Sequence, residues 1–348
     1  MKLPVLGICG YSGSGKTTLI EALIPYLTSK GLRVLTIKHD VHGLNVDRPG
    51  KDSDRFFRAG SDVMANGPGE GFVRRHDSGA GQDLDGIVRE MIRQYDLILV
   101  EGHKFTSLPH KIWLRRNSSD RCPKEVTGVM CDLDRGADRP AVAKKLIDSW
   151  FRKVWMSAPV YGGILIGGES RRMGKPKHLI RKGNRTWLES AIVKVRPFVK
   201  DVVILGKGMV PDKLRDCRVL PDVEGRRGPI AGMLSAMRWN PFASWIFAAC
   251  DLPMISGHAV KWLMSKRSAG VWAVMPVLPG KETVEPLLAY YDFRAGSLLE
   301  NSVRPADIAG NPRVAILETP PELASSWTNI NRPSDLESID DSSLRTTR

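Results

Sequence analysis

The stretch GICGYSGSGKTT, residues 7–18, decides the fold of the first part of the chain. It matches the phosphate-loop pattern G-x-x-x-x-G-K-[ST], with Gly10, Gly15, Lys16 and Thr17 at the fixed positions. An apolar run precedes it, and an amphipathic run that ends at Gly31 follows it. Glycines let consecutive N–H groups converge on phosphate, and the next helix adds the positive end of its dipole. The stretch therefore predicts a strand, a nucleotide-binding turn and a helix.

Specific contacts with the phosphates and the metal ion of a bound nucleotide are expected for residues of this turn. Lys16 is predicted to reach the β- and γ-phosphates, and the Thr17 hydroxyl to bind Mg²⁺. Asp40 and Glu101 stand at the ends of two predicted strands, where a carboxylate can hold the water shell of the metal ion. We assign this indirect metal contact to Glu101. The predicted nucleotide-binding residues of the turn are Gly10, Gly13, Ser14, Gly15, Lys16, Thr17 and Thr18.

A second glycine-rich and basic turn, LIGGESRRMGKPK, occupies residues 165–177. It also follows an apolar run, as a phosphate-binding turn does after a strand, and it fits the pattern G-G-x-x-x-R-M-G-x-x-K. Gly167 and Gly168 would let the backbone approach a nucleoside triphosphate. Arg172 and Lys177 would neutralise its phosphates and stabilise the charge on departing pyrophosphate. This turn predicts nucleotidyl transfer, with Arg172 and Lys177 as catalytic residues.

Acidic residues follow two later predicted strands. Asp251 comes directly after the apolar run FAAC, where a carboxylate beside a triphosphate is a natural Mg²⁺ ligand, and we predict it to be catalytic. Asp222 ends the run CRVLPD, and Gly228 opens GPIAG, which would bring backbone against the base or ribose. The nucleotide site expected in the second half comprises Gly167, Gly168, Arg172, Lys177, Asp222, Gly228 and Asp251.

Apolar strand-like runs alternate with amphipathic helical runs in both halves, which predicts an α/β protein with largely parallel sheets. We expect a P-loop NTPase domain at residues 1–155 and a Rossmann-like nucleotidyltransferase domain, with a mixed and mainly parallel sheet, at residues 158–340. No low-complexity linker separates the two, so they are expected to be closely joined. Two segments rich in Gly, Asp and Arg, residues 41–60 and 66–83, are predicted to be functional loops flanking a short helix.

Composition narrows the class of protein. A length of 348 residues favours two domains, and 42% hydrophobic with 26% charged residues is typical of a globular protein. The net charge of +14 suits anionic partners, and the two phosphate turns favour nucleotides and phosphorylated metabolites over nucleic acid. Five cysteines without C-x-x-C spacing predict reduced, buried thiols. Neither a signal peptide nor a membrane span is evident, which predicts a cytoplasmic location.

Two known families resemble the two halves. GYSGSGKTTL, VDRPGKDSDRFFRAG and LILVEGHK resemble the molybdopterin-guanine dinucleotide biosynthesis protein B family over residues 3–120. This resemblance implies GTP binding, weak hydrolysis and an accessory role in cofactor synthesis. It also makes insertion chaperones, apo-molybdoenzymes and a homodimer through the N-terminal domain candidate partners.

The second half resembles the molybdenum cofactor guanylyltransferases over residues 160–338, through LIGGESRRMGKPK, LPDVEGRRGPIAG, AACDLP, EPLLAYY and NINRPSDL. The resemblance implies transfer of GMP from GTP to Mo-molybdopterin with Mg²⁺. It also implies that Asp222 contacts guanosine, and that Asn329 and Asn331 either lie near the active site or act in a cap or turn.

Some residues leave alternatives open. The ending KPK of the second turn is closer to the molybdopterin cytidylyltransferases, and DVVILGKG lacks asparagines with which many guanylyltransferases read guanine. A cytidylyltransferase, a sugar-phosphate nucleotidyltransferase fused to a kinase, and a GTP-switched cofactor-binding chaperone are the alternatives. His39, His42, His103 and His110 lack a fixed spacing, so we predict surface or packing roles for them.

Overall fold

The computed structural model of the protein describes residues 3–38, 46–76, 83–167 and 176–331, and Asp335. The N-terminal elements are β1 (Val5–Gly10), α1 (Lys16–Ser29), β2 (Val34–Lys38), α2 (Asp52–Arg58), β3 (Val63–Gly67), β4 (Glu70–Arg74), α3 (Leu84–Met91), β5 (Leu97–Glu101), β6 (Lys111–Leu114), β7 (Val129–Leu133) and α4 (Arg139–Met156). Their five-stranded sheet has the order β2-β5-β1-β6-β7, and every pairing in it is parallel. All five strands therefore end at one edge, which we call the carboxyl edge, and begin at the opposite amino edge.

The segment between β2 and α3 forms a small subdomain outside this sheet. β3 and β4 make an antiparallel hairpin, although the sequence predicted a loop for residues 66–83. Asp54 on α2 holds the segment together, because it accepts hydrogen bonds from Gly50 N, Arg58 Nε and Arg74 Nη1 at 2.8–3.0 Å. These donors lower the pKa of Asp54 from 3.8 to about 2, with the backbone N–H of Gly50 as the largest cause.

The C-terminal elements form a second layered unit. They are β8 (Val160–Leu165), a 3₁₀ turn (Lys177–Leu179), β9 (Arg181–Lys182), β10 (Arg185–Thr186), α5 (Trp187–Val195), β11 (Val202–Leu205), β12 (Arg218–Leu220), α6 (Pro229–Trp239), β13 (Ser244–Ala249), α7 (Gly257–Ser265), β14 (Ala273–Val277), β15 (Ala289–Tyr291), α8 (Ala295–Glu300) and β16 (Val314–Glu318). The seven-stranded sheet has the order β12-β11-β8-β13-β15-β14-β16, and only β15 runs antiparallel to its neighbours. The predicted mixed, mainly parallel α/β sheet is confirmed.

The two sheets pack together through their amino edges. Asp96, which is 0% exposed and directly precedes β5, accepts hydrogen bonds from Arg33 N at 2.8 Å and from Trp272 Nε1 at 2.6 Å. It also pairs with Arg313 Nη1 at 2.7 Å. Trp272 and Arg313 directly precede β14 and β16, so strand beginnings of one sheet contact strand beginnings of the other.

Arg294 makes a second contact across the same junction. Its Nε donates to Tyr95 O at 2.9 Å, and its guanidinium lies 4.1 Å from the ring of Trp155 at the end of α4. Its Nη1 pairs with the carboxylate of Asp292 at 2.8 Å, with both side chains almost fully buried. One hydrophobic cluster contains residues from both parts, among them Leu6 and Tyr161. The expectation that the two parts are closely joined agrees with this packing.

Across the described residues, no helix combines the length and apolarity that a membrane crossing requires.

Candidate nucleotide-binding sites

The phosphate loop connects β1 to α1 at the carboxyl edge of the first sheet. Gly10, Gly13 and Gly15 have φ values of 149°, 73° and 87°, a region that favours glycine. A Cβ atom on Gly10 would lie 2.5 Å from the carbonyl oxygen of Leu114, so only glycine fits this close approach to β6. The loop therefore has the backbone conformation that the sequence pattern requires.

Lys16, Thr17 and Glu101 meet at this loop. Lys16 Nζ donates to the carbonyl oxygens of Gly10 at 3.3 Å and Tyr11 at 3.0 Å, which keeps the ammonium over its own loop. Thr17 Oγ1 donates to Glu101 Oε1 at 3.0 Å. Because β5 pairs with β1, the carboxylate at the end of β5 lies beside the first turn of α1. Asp40, the other candidate carboxylate, lies outside the described residues.

Arg139 is a residue of this site that the sequence did not predict. From the first turn of α4, its Nη1 donates to Ser14 O at 2.6 Å and its Nε to Asp134 O at 2.9 Å. Its Nη2 donates to the carbonyl oxygens of Arg115 and of Leu133. Burial lowers the pKa of Arg139, with the charge of Arg135 adding to the effect. Arg139 thus connects the phosphate loop to the segments after β6 and β7 through hydrogen bonds. The sequence did not predict this role, because Arg139 lies more than a hundred residues after the loop and belongs to no local motif.

The second site lies at the carboxyl edge of the C-terminal sheet. Lys177, at the end of the second glycine-rich turn, donates through Nζ to Asp251 Oδ2 at 3.0 Å and to Asn331 Oδ1 at 2.8 Å. Asp251 follows β13, and Ile330 N donates to its carbonyl oxygen at 3.0 Å. Three distant segments therefore converge, and two residues predicted to act in catalysis, Lys177 and Asp251, are in direct contact.

Asp251 also has a carboxylate oxygen available for a further ligand. Its Oδ1 is buried and, among the described residues, has no hydrogen-bond partner. Buried polar atoms are normally satisfied, so this oxygen is suited to bind a cation or a donor from a substrate. The neighbouring Cys250 is buried, which raises its pKa to about 12 and keeps it a thiol.

The remaining predicted residues of the second half lie around this pair or outside the described residues. Gly167 follows β8, and the carboxyl end of β11 lies beside it, since a Cβ on Gly206 would be 3.2 Å from Gly167 N. Asp222 lies two residues beyond β12, and burial raises its pKa, with Lys207 opposing the effect. Gly228, with φ of 72°, is the N-cap of α6. Gly168 and Arg172 lie outside the described residues, so their predicted roles stay predictions.

The cysteines and histidines add no further cluster to either site. All five cysteines are free, and only Cys9 and Cys250 are buried, so the prediction of buried thiols was wrong for the other three. His110 packs edge-on against Trp150 with ring centroids 5.2 Å apart. His39 and His42 lie outside the described residues, and within those residues no group of three or more His, Cys, Asp or Glu could hold a metal ion.

These two sites define a class of protein, a P-loop nucleotide-binding domain joined to a nucleotidyltransferase domain. Comparison with known families agrees with both parts. Residues 5–132 match the family of molybdopterin guanine dinucleotide synthesis protein B, and residues 162–308 match the MobA-like NTP transferase domain. The chain belongs to both families, and the predicted fusion is confirmed.

Individual relatives cover one half each. The molybdopterin-guanine dinucleotide biosynthesis adapter protein of Haemophilus influenzae is 41% identical over 126 residues, which are 36% of this chain and 70% of that protein. The probable molybdenum cofactor guanylyltransferase of Bacillus licheniformis is 33% identical over 192 residues, 51% of this chain and 94% of that protein. The crystal structure of molybdopterin-guanine dinucleotide biosynthesis protein A from Archaeoglobus fulgidus has 25% identity and a TM-score of 0.43, covering 53% of this chain and 100% of that one.

Proposed function

We propose that the protein transfers GMP from GTP to the terminal phosphate of Mo-molybdopterin, forming molybdopterin guanine dinucleotide and pyrophosphate. The observation that carries this proposal is the contact of Lys177 Nζ with Asp251 Oδ2 at 3.0 Å, beside a glycine turn at the carboxyl edge of the sheet. Open α/β sheets bind nucleotides at this edge. The relatives that match this half are named molybdenum cofactor guanylyltransferases, which supports the choice of donor and acceptor.

The reaction needs no covalent protein intermediate. An oxygen of the acceptor phosphate attacks the α-phosphorus of GTP, a new P–O bond forms, and the bond to pyrophosphate breaks. Lys177 stabilises the charge that builds on the phosphates, and Arg172 assists it from the preceding turn. The roles of the protein are thus alignment and charge stabilisation.

The residues at both sites fit Mg²⁺. The buried Oδ1 of Asp251, which has no partner in the part of the chain that the structure describes, and the adjacent oxygens of Thr17 and Glu101 are hard ligands of the kind that this ion prefers. Mg²⁺ usually keeps several waters and substrate oxygens, so one or two protein ligands at each site are sufficient. When bound, it supplies neutralisation of phosphate charge and orientation of the triphosphate. Asp251 would hold it directly in the transferase site, whereas Thr17 would bind it directly and Glu101 through water in the first site.

The guanosine part of the donor belongs on the side of β11 and β12. Asp222 lies there half-buried, and a carboxylate in this environment can accept the two adjacent N–H donors of guanine. Gly228, at the start of α6, and Gly167 and Gly168, after β8, would bring backbone N–H groups to the ribose and phosphates.

The N-terminal part, residues 1–155, would bind GTP through residues 10–18 and assist assembly or delivery of the product made by residues 158–340. Insertion chaperones or apo-molybdoenzymes are the corresponding partners, and a homodimer through the N-terminal domain is the corresponding assembly. A cytoplasmic location suits such a biosynthetic role. The adapter name of the Haemophilus influenzae relative supports an accessory function for this half.

Pyrophosphate release tests the proposal. The purified protein is incubated with molybdopterin acceptor and Mg²⁺, and GTP is compared with CTP, beside the Asp251→Asn variant. We expect release with GTP that is lost in the variant. Preference for CTP would assign the protein to the cytidylyltransferases, and absence of release with either nucleotide would contradict transferase activity.

A further inference from the structure

A cavity of about 440 Å³ lies at the junction where the amino edges of the two sheets meet. The N-terminal part contributes the start of β1, one face of α3 and the segment before β6. The C-terminal part contributes the start of β8, Lys200 before β11, and Asn240 and Phe242 before β13. We propose that this cavity binds a small aromatic monoanion, a ligand with a flat apolar body and one negatively charged group.

The cavity is built on rigid elements of both parts of the chain. Ligand pockets of about 300–1,000 Å³ occur preferentially at domain interfaces, where two surfaces enclose one volume. On the N-terminal side, Val5 and Val88 are buried members of one hydrophobic cluster. On the C-terminal side, the buried ring of Tyr161 packs on Trp245 with centroids 5.5 Å apart. The cores behind these side chains fix the walls, so the cavity is formed before a ligand binds.

The walls suit a flat ring. Tyr161 and Phe242 supply aromatic surface, and Pro109 and Pro159 supply rigid apolar surface. Aromatic side chains pair with other rings in offset-stacked or edge-to-face arrangements, and such pairs add to the stabilisation from burial alone. A planar aromatic ligand would therefore bury apolar surface against both parts of the chain at once.

The charges at the cavity favour an anion. Its charged lining residues are Asp85, Arg89 and Lys200. Arg89 Nε donates to Asp85 Oδ2 at 2.6 Å, so these two charges balance each other. Lys200 N donates to Val160 O at 2.7 Å, which holds Lys200 at the amino edge, and its ammonium lies 5.7 Å from the ring centroid of Tyr161. The cavity thus carries one positive charge in excess beside an aromatic wall, which matches a single negative charge on the ligand.

Two polar side chains add hydrogen-bond donors to this charge. Ser107 and Asn240 line the cavity, and within the described ranges their side chains form no hydrogen bond with the protein. A hydroxyl and an amide group can each donate to an anionic oxygen, and such charge-assisted bonds are stronger than neutral ones. A carboxylate, sulfonate or phosphate monoester group would therefore find donors from Lys200, Ser107 and Asn240.

Fluorescence titration with two probes of the same ring system tests the proposal. 1-Anilinonaphthalene-8-sulfonate is an aromatic monoanion, and N-phenyl-1-naphthylamine is its neutral counterpart. The full chain is titrated in excess GTP and Mg²⁺, so that a probe bound at either phosphate loop is displaced. We expect saturable binding of both probes, because both carry the rings that the apolar walls accept.

Lys200→Ala separates the charge from the apolar walls. It should raise the Kd of the anionic probe about threefold and that of the neutral probe by less than about 1.5-fold, since only the sulfonate loses a partner. Lys200→Arg should restore the affinity for the anionic probe, because arginine keeps the charge. Lys194→Ala is the matched control: it removes an exposed cation from α5 that does not line the cavity, and should leave both Kd values unchanged.

Ser107→Trp tests the position of the site. Ser107 is exposed, so a larger side chain fills space at the cavity without entering a core, and both probes should bind about tenfold more weakly. Absence of saturable binding, or binding that neither Ser107→Trp nor Lys200→Ala changes, would overturn the proposal. Equal weakening of both probes by Lys200→Ala would show that the cavity does not select an anion. Should Ser107→Trp fail to fold, as judged by circular dichroism, Lys200→Ala compared with Lys194→Ala decides alone.

Discussion

The two phosphate sites use a lysine in different ways. Lys16 donates to carbonyl oxygens of its own loop, five and six residues away, whereas Lys177 donates to side chains 74 and 154 residues away. The first site is therefore built almost entirely from one continuous stretch and the backbone conformation of its glycines. The second exists only when the segment after β13 and the C-terminal segment have both folded onto the glycine turn. Local construction suits a binding loop, while convergence of distant segments suits alignment of two substrates.

Removal of each lysine should give the largest effect and the sharpest contrast. Lys177→Ala should lower the rate of GMP transfer about 100- to 1,000-fold, because a donor that stabilises transition-state charge is lost. Lys16→Ala should change that rate by less than about threefold, since Lys16 donates its hydrogen bonds to carbonyl oxygens of its own loop. Pyrophosphate release at saturating GTP measures both. An equal loss in both variants would show that the two sites act as one unit.

Asp96→Ala tests the junction between the two sheets. It leaves Arg313 and Trp272 buried without their acceptor, so the free energy of unfolding should fall by about 3 kcal/mol. Asp52→Ala is the control, because its ion pair with Arg55 is exposed and should contribute less than about 1 kcal/mol. Chemical denaturation monitored by circular dichroism provides the measurement. Similar losses in the two variants would mean that the junction contributes little to stability.

Thr17→Ala should affect only the local site. It removes the hydroxyl that contacts Glu101, and the affinity of the N-terminal site for GTP in Mg²⁺ should fall about tenfold. Titration calorimetry with and without EDTA measures the change in the Lys177→Ala background. Thr28→Ser, near the other end of α1, changes an exposed residue away from the phosphate loop, should change the affinity by less than about twofold and serves as the control. A Thr17→Ala protein that keeps its Mg²⁺-dependent affinity would exclude this hydroxyl as a metal ligand.

The smallest predicted effect concerns Asp54 in the β3–β4 subdomain. Its pKa is lowered from 3.8 to about 2, so its contribution to stability is present above pH 4 and is lost as the pH falls toward 2. The difference in thermal stability between the native protein and Asp54→Asn should therefore shrink between pH 4 and pH 2. A difference that stays constant over this range would indicate an ordinary pKa for Asp54.

The difference between a site built from consecutive residues and a site built from distant segments also explains how much of each site the sequence could predict. The conformation of the phosphate loop could be predicted because its residues are consecutive, and the position of Glu101 beside it could be predicted because Glu101 ends an apolar run. Lys177 and Asp251 were each predicted, but their contact was not, since no pattern links residues 74 positions apart. Arg139 was missed for the same reason.

The strands that the sequence analysis did not predict also have a physical explanation. β6 and β7 were not predicted, although KIWL and VMCDL are short apolar runs, because four or five residues show no clear period. The glycines of the β3–β4 hairpin favour the prediction of a loop, whereas the structure has two paired strands. Its order depends on Asp54 and Arg74, which lie 20 residues apart in the sequence.

The packing of the two sheets through their amino edges determines how a small molecule can move from one site to the other. The two candidate nucleotide sites lie at carboxyl edges that face away from each other, and two six-residue strands separate them by on the order of 40 Å. A molecule released at one site must pass through bulk solvent before it reaches the other, so an isotopic label would be diluted by the external pool. What the fusion provides is a fixed ratio of one P-loop part to one nucleotidyltransferase part in every molecule made.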